Sequence, residues 1–307
     1  MAGRWSIEPT PLVELGTLNR KGGVRLLAKL EWQLPTGSVK DRPAVAMMAD
    51  ARERGLLTPG VRLLEPSSGN TGIALARLAR LAGIHLTVVA PSNISPERKQ
   101  LLRSFGAELI ESPGEEGSNG AIAFAGRMHA EGDWLMLDQY SNPANPLSHE
   151  LTTGPEILGA VERVDVLVAA LGTGGTLMGT GRSLRRAHPD VKVIAVEPPA
   201  GEAISGLRSL EDGYVPPIFD PNQIDGKILV RTAQAVAMTR RLLDEEGLFA
   251  GLSSGAVVHA ALKWVERLDT GVVVAILPDG GWKYLSFDVW GGTIDDAAER
   301  VGGSTYF

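Results

Sequence analysis

Apolar and polar positions along the chain follow two different spacings. Short, nearly continuous apolar runs, such as VDVLVAALG (164–172) and GVVVAILPD (271–279), are typical of parallel strands that are covered on both faces. Longer segments in which apolar residues recur every three or four positions, such as NTGIALARLARLAG (70–83) and SSGAVVHAALKWVERL (253–268), predict amphipathic helices. Strand and helix patterns keep exchanging, which predicts an α/β fold with mostly parallel sheets.

The remaining segments extend this pattern. Further strands are predicted at 24–34, 61–65, 85–91, 107–112 and 191–198, and further helices at 43–55, 95–106, 176–189 and 235–247. Ser95 is a candidate helix cap with Pro96 in the first turn, and Gly83 is expected to end the preceding helix. We expect two domains, a smaller one at 36–144 and a larger one formed by 1–35 plus 145–307.

Composition narrows the classes of function. The 307 residues have a net charge of -6 and no basic block, so a nucleic-acid partner is not expected. No apolar run approaches the roughly 18 residues of a membrane span, and the N-terminus lacks the apolar core of a signal peptide. We therefore expect a cytoplasmic protein without a membrane partner. The absence of cysteine excludes thiol chemistry, and the spacing of the five histidines gives no reason to expect a metal.

Strand-to-helix loops are where ligands bind in parallel α/β folds. The first such loop, EPSSGNTG (65–72), gathers hydroxyls and an amide at a helix N-terminus, where an anion is stabilised. A helix cap requires only one such side chain, so the sequence favours an anion site over a simple cap. The candidate residues are Ser67, Ser68, Gly69, Asn70 and Thr71.

A second loop, LGTGGT (171–176), is rich in glycine, which lets backbone N–H groups turn inward around phosphate oxygens. A dinucleotide fingerprint is the competing interpretation, because Glu197 ends the next strand where a ribose-binding acid belongs. The required third glycine is replaced by Leu177, which disfavours a dinucleotide-binding oxidoreductase. A phosphate monoester fits better, and its candidate residues are Gly172, Thr173, Gly174, Gly175 and Thr176.

A lysine lies at the start of a predicted helix in PTGSVKDRPA (35–44). Burial and the helix dipole would lower the pKa of the Lys40 amine, and a neutral amine forms Schiff bases with aldehydes. A lone lysine at such a position is usually a surface residue, but here two anion-binding loops accompany it. Pyridoxal 5′-phosphate is an aldehyde and a phosphate monoester, so it would connect Lys40 with the glycine-rich loop.

Together these motifs resemble those of the cysteine synthase group of fold-type II pyridoxal-phosphate enzymes, a two-domain, tryptophan synthase β-like fold. PTGSVKDRPA resembles the Schiff-base motif, SSGNTG the substrate-carboxylate loop, and GTGGT the phosphate loop. GLSSGA (251–256) resembles the segment that faces the pyridine nitrogen. The resemblance extends over nearly the whole chain, and its later segments are most similar to the B-type enzymes, some of which accept O-phosphoserine.

The resemblance implies a role for each motif residue. Lys40 binds the cofactor as a Schiff base and then acts as acid and base, Asn70 binds the ring oxygen, and Ser253 faces the pyridine nitrogen. The 5′-phosphate is bound by residues 172–176. The substrate loop, with Gly69 in its turn, binds the substrate carboxylate through Ser67, Ser68, Thr71 and Gln139.

The implied reaction is cysteine synthesis from an O-activated serine, O-acetylserine or O-phosphoserine, through an α-aminoacrylate. The sulfur nucleophile is sulfide, thiosulfate or a sulfur-carrier protein, and the implied assembly is a homodimer. Arg208 would bind the phosphate of O-phosphoserine, or would be a solvated loop residue or an ion-pair partner. The alternatives are a cystathionine β-synthase-like or serine/threonine deaminase-like enzyme, a non-catalytic scaffold, and the disfavoured oxidoreductase.

Overall fold

Two sheets organise the computed structural model of the chain, which describes residues 5–302. In that range the larger sheet has the order β1 (Leu12–Glu14), β2 (Val24–Leu30), β10 (Gly271–Leu277), β7 (Val166–Ala170), β8 (Lys192–Glu197) and β9 (Gly226–Leu229). The smaller sheet has the order β5 (Glu108–Ser112), β4 (His85–Pro91), β3 (Arg62–Pro66) and β6 (Leu135–Met136). All neighbours are parallel except β1 and β2, so the predicted α/β fold is confirmed.

Helices connect these strands. They are α1 (Asp41–Glu53), α2 (Asn70–Ala82), α3 (Pro96–Ser104), α4 (Gly117–Glu131), α5 (Ala144–Leu151), α6 (Thr153–Ala160), α7 (Gly175–Ala187), α8 (Thr232–Glu246), α9 (Leu252–Arg267) and α10 (Ile294–Gly302). Short 3-10 segments occupy Glu31–Gln33, Gly114–Glu116, Leu210–Asp212, Pro221–Gln223 and Gly281–Phe287.

Strand β7 shows why the central strands are continuously apolar. Its side chains alternate between the two faces of the sheet. Val166 and Val168 belong to the core cluster that includes α8 and α9, whereas Leu167 and Ala169 belong to the cluster that includes α7. Because helices cover both faces, every position of the strand is apolar and largely buried.

Most of the predicted elements are present, with two instructive differences. Ser95 caps α3 by accepting the N–H of Arg98, and Gly83 ends α2 with a φ of 69°, as predicted. The strand pattern at 24–34 ends at Leu30 and continues as a 3-10 turn. Helix α4 was not predicted, because three glycines weaken its helical propensity and interrupt its apolar spacing.

The two sheets also separate along the chain. The strands of the smaller sheet all lie within 36–144, and those of the larger sheet lie outside that block. We propose that the sheets mark two domains with the boundaries given above.

A buried ion network joins the start of α1 to the larger sheet. Arg42 is buried; its Nε donates to Glu31 Oε2 at 2.6 Å, and its terminal nitrogens donate to Glu156 at 2.6 and 2.8 Å. Lys29 on β2 donates to the same Glu156 at 2.6 Å. These four residues come from four different elements. The network therefore determines where α1 begins, one residue before Arg42 and directly after Lys40.

We expect Arg42→Met to destabilise the fold by about 3–5 kcal/mol, because it leaves the buried Glu31 carboxylate without its ion-pair partner. Arg54→Met is the matched control at the other end of α1, where Arg54 forms an exposed pair with Asp50. Its cost should stay within about 0.5 kcal/mol. Urea unfolding of the two variants measures the difference, and equal losses would contradict a special role for the network.

Candidate active site

Two adjoining cavities lie beyond the carboxyl ends of the parallel strands. Cavity 1 is lined mainly by the loop after β3, and cavity 2 mainly by the loop after β7. The two cavities have several lining residues in common, namely Lys40, Asn70, Gly172, Thr173 and Gly206. The structure thus brings the predicted lysine and both predicted loops into one site.

The turn before α1 holds Lys40 between the two cavities. The Asp41 carboxylate accepts both the backbone N–H and the hydroxyl of Thr36, each at 2.8 Å, and so closes the turn. Gly37 has a φ of 75°, and a Cβ there would lie 2.5 Å from the Trp282 ring. Glycine is therefore required at that position by both conformation and space. The Val39 N–H donates to the carbonyl of Pro278, which attaches the turn to the loop after β10.

The amine of Lys40 lies in an environment that favours its neutral form. Burial lowers the pKa of Lys40, and the negative charge of Asp279 partly opposes this effect. Although its surroundings are buried, the side chain itself is only half-buried because it faces the cavities. A lysine that is both accessible and readily deprotonated is suited to react with an aldehyde.

The glycine-rich loop after β7 forms a cradle at the N-terminus of α7. Gly174 has a φ of 86°, and a Cβ there would lie 2.9 Å from Phe219. A Cβ on Gly175 would lie 2.0 Å from the Asn145 side chain. No acidic side chain lies in the first turn of α7. The loop can therefore present backbone N–H groups to an anion.

Two threonine hydroxyls complete this cradle. Thr173 accepts a hydrogen bond from Asn145 Nδ2 at 3.1 Å, and Thr176 lies 3.3 Å from His149 Nε2. His149 is buried, and this burial holds its pKa well below the usual range, so its ring is neutral. Each hydroxyl oxygen thus has a partner on the protein side. Both threonines line cavity 2.

The loop after β3 lines cavity 1 with the predicted substrate residues. Ser67 Oγ accepts the N–H groups of Gly69 and Gly72, at 3.3 and 2.9 Å, so this serine shapes the start of α2. Thr71 donates to Gln139 Oε1 at 2.5 Å, which connects the loop with the segment after β6. The residues of this group that line cavity 1 are Ser67, Ser68, Gly69, Asn70, Thr71 and Gln139.

The Asn70 amide is held on both sides. Lys283 Nζ donates to its Oδ1 at 2.7 Å, and its Nδ2 donates to Asp279 Oδ2 at 2.8 Å. Ser253 in the first turn of α9 lines cavity 2, into which Lys40 also projects. Asn70 and Ser253 therefore line the same cavity as Lys40 and the glycine-rich loop.

Two predicted site residues line neither cavity, namely Arg208 and Gly175 of the glycine-rich loop. Arg208 is fully buried, its Nη1 donates to Asn119 Oδ1 at 2.8 Å, and its guanidinium lies 4.8 Å from the centre of the Tyr214 ring. The expectation of a solvated loop residue is therefore wrong. Arg208 also lies 5.6 Å from the ring centre of Tyr140, which does line cavity 1.

Several site residues were not found by sequence reasoning. Arg98 and Ser205 line cavity 1 and are hydrogen-bonded to each other, although they come from α3 and from the loop after β8. Asp279 and Lys283 follow the buried strand β10. The position of that segment after a predicted parallel strand was the one available signal for it. Arg98 lies inside a helix pattern and gave no such signal.

Comparisons with known proteins agree with this geometry. Residues 5–279 match the family described as pyridoxal-phosphate dependent enzyme. The chain is 41% identical over 287 residues to the cysteine synthase of Staphylococcus aureus strain Mu50, covering 90% of this chain and 93% of that protein. It is 42% identical over 282 residues to cysteine synthase B of Pseudomonas aeruginosa strain PAO1, covering 92% and 94%.

A solved structure shows the same similarity in three dimensions. The crystal structure of a lysine-to-alanine mutant of O-ureido-L-serine synthase with O-ureido-L-serine bound superposes with a TM-score of 0.89 at 37% identity. The match covers 94% of this chain and 93% of that one.

The site residues fit the cofactor that the family name specifies. The cradle at 172–176 is suited to a phosphate monoester because it leads into the N-terminus of α7, whose first turn has no acidic side chain and offers backbone N–H groups. Lys40 supplies an amine of lowered pKa for an aldehyde. The cavity between these two features is lined by Asn70 and Ser253, a hydrogen-bonding amide and hydroxyl.

We expect Gly174→Ala to weaken binding of pyridoxal 5′-phosphate at least tenfold, because the added methyl group strains the left-handed backbone and displaces Phe219. Gly201→Ala is the matched control, since its φ of 77° imposes similar strain but its Cβ would meet open space. Gly201→Ala should lose about 1 kcal/mol of stability from the left-handed strain alone, and Gly174→Ala should lose more because of the added clash. Titration of the apoproteins with cofactor separates them, and unchanged affinity in Gly174→Ala would argue against the cradle.

Proposed function

Because this chain belongs to the pyridoxal-phosphate dependent enzyme family, we propose that it is a cysteine synthase. It replaces the leaving group of an O-activated serine, O-acetylserine or O-phosphoserine, by sulfur and yields L-cysteine. The observation that carries this proposal is the convergence of Lys40, the phosphate cradle and the hydroxyl-rich loop on two adjoining cavities. The relatives named cysteine synthase and cysteine synthase B support the choice of reaction.

Pyridoxal 5′-phosphate, when bound, withdraws electrons from the Cα of an amino acid that is joined to it. In the proposed site Lys40 would hold its aldehyde carbon and residues 172–176 its phosphate. Asn70 would donate to the ring oxygen. Ser253 would face the pyridine nitrogen with a neutral hydroxyl, which cannot hold a proton there as a carboxylate would.

Lys40 is the group that removes the Cα proton of the substrate. Because burial lowers the pKa of Lys40, a larger fraction of the amine is a free base at neutral pH than for an exposed lysine. The Thr36–Asp41 turn and the buried Arg42 hold both sides of this residue. The same amine can return the proton to a product on the same face.

The loop at 67–71 would bind and orient the substrate carboxylate. It combines side-chain hydroxyls with the N-terminus of α2, whose first turn has no acidic side chain. Thr71 and Gln139 are already hydrogen-bonded to each other, so their groups face the cavity as one unit. Closure of this loop over bound substrate would exclude water from the reacting carbons.

We expect the purified protein with bound cofactor to form cysteine from O-acetylserine and sulfide, with a fast change in the visible absorption band on addition of O-acetylserine alone. Lys40→Ala should lower the rate by about 10²–10⁴-fold or more, because it removes the general base. A product assay with homocysteine in place of sulfide tests the cystathionine β-synthase-like alternative. Release of ammonia and pyruvate as the main products would instead indicate a deaminase.

We propose that Arg208 favours a substrate with a phosphate leaving group through its charge rather than through direct contact. Its guanidinium is buried beside Tyr140, and Tyr140 also lines cavity 1. A buried positive charge acts over a longer distance than an exposed one, because the protein interior screens it less than water does. A dianionic phosphate would feel this charge more than a neutral acetyl ester.

We expect Arg208→Met to lower kcat/KM for O-phosphoserine by about tenfold or more, the worth of one charged interaction, and to affect O-acetylserine less. Steady-state kinetics with both substrates, using the same preparations, measures the ratio. Equal losses with both would show that Arg208 only supports Tyr140 and its neighbours.

We also propose that the enzyme works as a cytoplasmic homodimer and takes its sulfur from sulfide, thiosulfate or a sulfur-carrier protein. Leu147 and Leu151 are exposed one turn apart on α5 and are side chains that a second copy would cover. Within residues 5–302, none of the helices has the length and apolar character needed to cross a membrane. Sedimentation equilibrium, cell fractionation and assays with each sulfur source address these three points.

A further inference from the structure

A second lysine is buried beside the active site and has no part in the mechanism described so far. Lys283 lies in the 3-10 segment after β10 and is fully buried. Its amine donates to Asn70 Oδ1 at 2.7 Å and to the carbonyl oxygen of Gly37 at 3.1 Å. One lysine thus contacts both the residue predicted to bind the cofactor ring and the turn that carries Lys40.

The chemistry of its two neighbours determines the orientation of the Asn70 amide. A lysine ammonium can only donate hydrogen bonds, and an ionised carboxylate can only accept them. Lys283 therefore requires the Asn70 oxygen on its side, and Asp279 requires the Asn70 nitrogen on the other. The oxygen and nitrogen of an asparagine side chain have nearly the same shape, so the amide can often be placed either way round. Here the two charged neighbours allow only one orientation.

The remaining hydrogen-bonding capacity of Asn70 faces the cavities. Its Nδ2 carries two hydrogens, and the contact with Asp279 uses one of them. Asn70 lines both cavity 1 and cavity 2, so the second hydrogen is available to a ligand acceptor there. A reversed amide would present its oxygen in the same place and repel an anionic ring oxygen.

Other contacts hold this arrangement in place. The Tyr284 hydroxyl donates to the same Asp279 oxygen at 2.8 Å, and Ser95 at the start of α3 donates to the carbonyl of Lys283 at 3.2 Å. Burial lowers the pKa of Lys283 to about 8, so at pH 7 the amine is still mostly an ammonium with donors only. Asp279 is also buried, and the two opposite charges lie on opposite sides of one amide.

We propose that Lys283 is a positioning residue for the cofactor: together with Asp279 it fixes the Asn70 amide with its nitrogen toward the cofactor ring oxygen. The inference deepens the proposed function and rests on its cofactor site. Lys283 does not touch the reacting atoms. It acts through Asn70, and its removal should matter only while Asn70 is present.

The test is a double-mutant cycle on the affinity of the full-length apoprotein for pyridoxal 5′-phosphate. We expect Lys283→Met and Asn70→Ala each to raise the dissociation constant about tenfold, from the loss of one hydrogen bond to a charged group. The double variant should also lose about tenfold rather than a hundredfold, because both changes remove the same interaction. The visible band of the cofactor-loaded protein should shift in the same direction in both single variants.

Lys227→Met is the matched control. Lys227 on the edge strand β9 donates to the buried Glu197 carboxylate at 2.7 Å, and neither residue lines the two cavities. This variant should unfold at a lower urea concentration, yet keep the cofactor dissociation constant within about twofold and leave the visible band in place.

The outcomes separate the inference from the function on which it rests. Additive losses in the double variant, or unchanged affinity in Lys283→Met, would overturn the positioning role. Failure of the unsubstituted protein to bind pyridoxal 5′-phosphate would instead overturn the proposed cofactor site. If Lys283→Met does not fold, Lys283→Arg retains a donor-only group and should show little loss. The inference would be contradicted if Lys283→Arg raised the cofactor dissociation constant tenfold both in the unsubstituted protein and in a protein that already carries Asn70→Ala.

Discussion

The burial of the Arg42 guanidinium is the constraint on which the geometry of this protein depends. A charge without access to water must be surrounded by carboxylates, and the two that surround Arg42 come from the 3-10 segment after β2 and from α6. All three partners can meet only when α1 begins at one particular place. Buried ion pairs often contribute little net stability compared with apolar packing. The Arg42 ion pairs instead fix the position of α1, and with it the position of Lys40, because Lys40 directly precedes this helix.

A second constraint follows from the direction of the strands. In parallel sheets the carboxyl ends of neighbouring strands meet at one edge, so the loops after β7 and β10 lie side by side in the larger sheet. The loop after β3 belongs to the smaller sheet, and Asn70 joins it to the loop after β10 through Asp279 and Lys283. Two of these loops lead directly into helices, whose N-terminal N–H groups favour anions. The glycine-rich loop and the hydroxyl-rich loop thus share one local geometry. Lys40 lines both cavities with them, as the proposed cofactor, which is both an aldehyde and a phosphate monoester, would require.

These two constraints explain what could be predicted from the sequence. Strands such as β7 and helices such as α2 were recognisable because their spacing records which faces are covered. The glycine-rich and hydroxyl-rich loops were recognisable because their chemistry is contained in a few consecutive residues. Helix α4 was not recognisable, because its glycines are tolerated only through tertiary packing. The burial of Arg208 was not predictable either, since its partners Asn119 and Tyr140 come from two other segments.

The site itself shows where local information ends. A motif can identify Asn70 as a hydrogen-bonding residue, but an amide offers a donor at one end and an acceptor at the other. Which end faces the ligand depends on Asp279 and Lys283, which lie 209 and 213 positions later in the chain. Neither residue belongs to the sequence motif that contains Asn70. The choice between donor and acceptor is made by two buried charges of opposite sign, and those charges meet only after both sheets have formed. In this protein the sequence motifs identify residues such as Asn70 that line the cavities, whereas the tertiary structure determines which of their atoms faces a ligand.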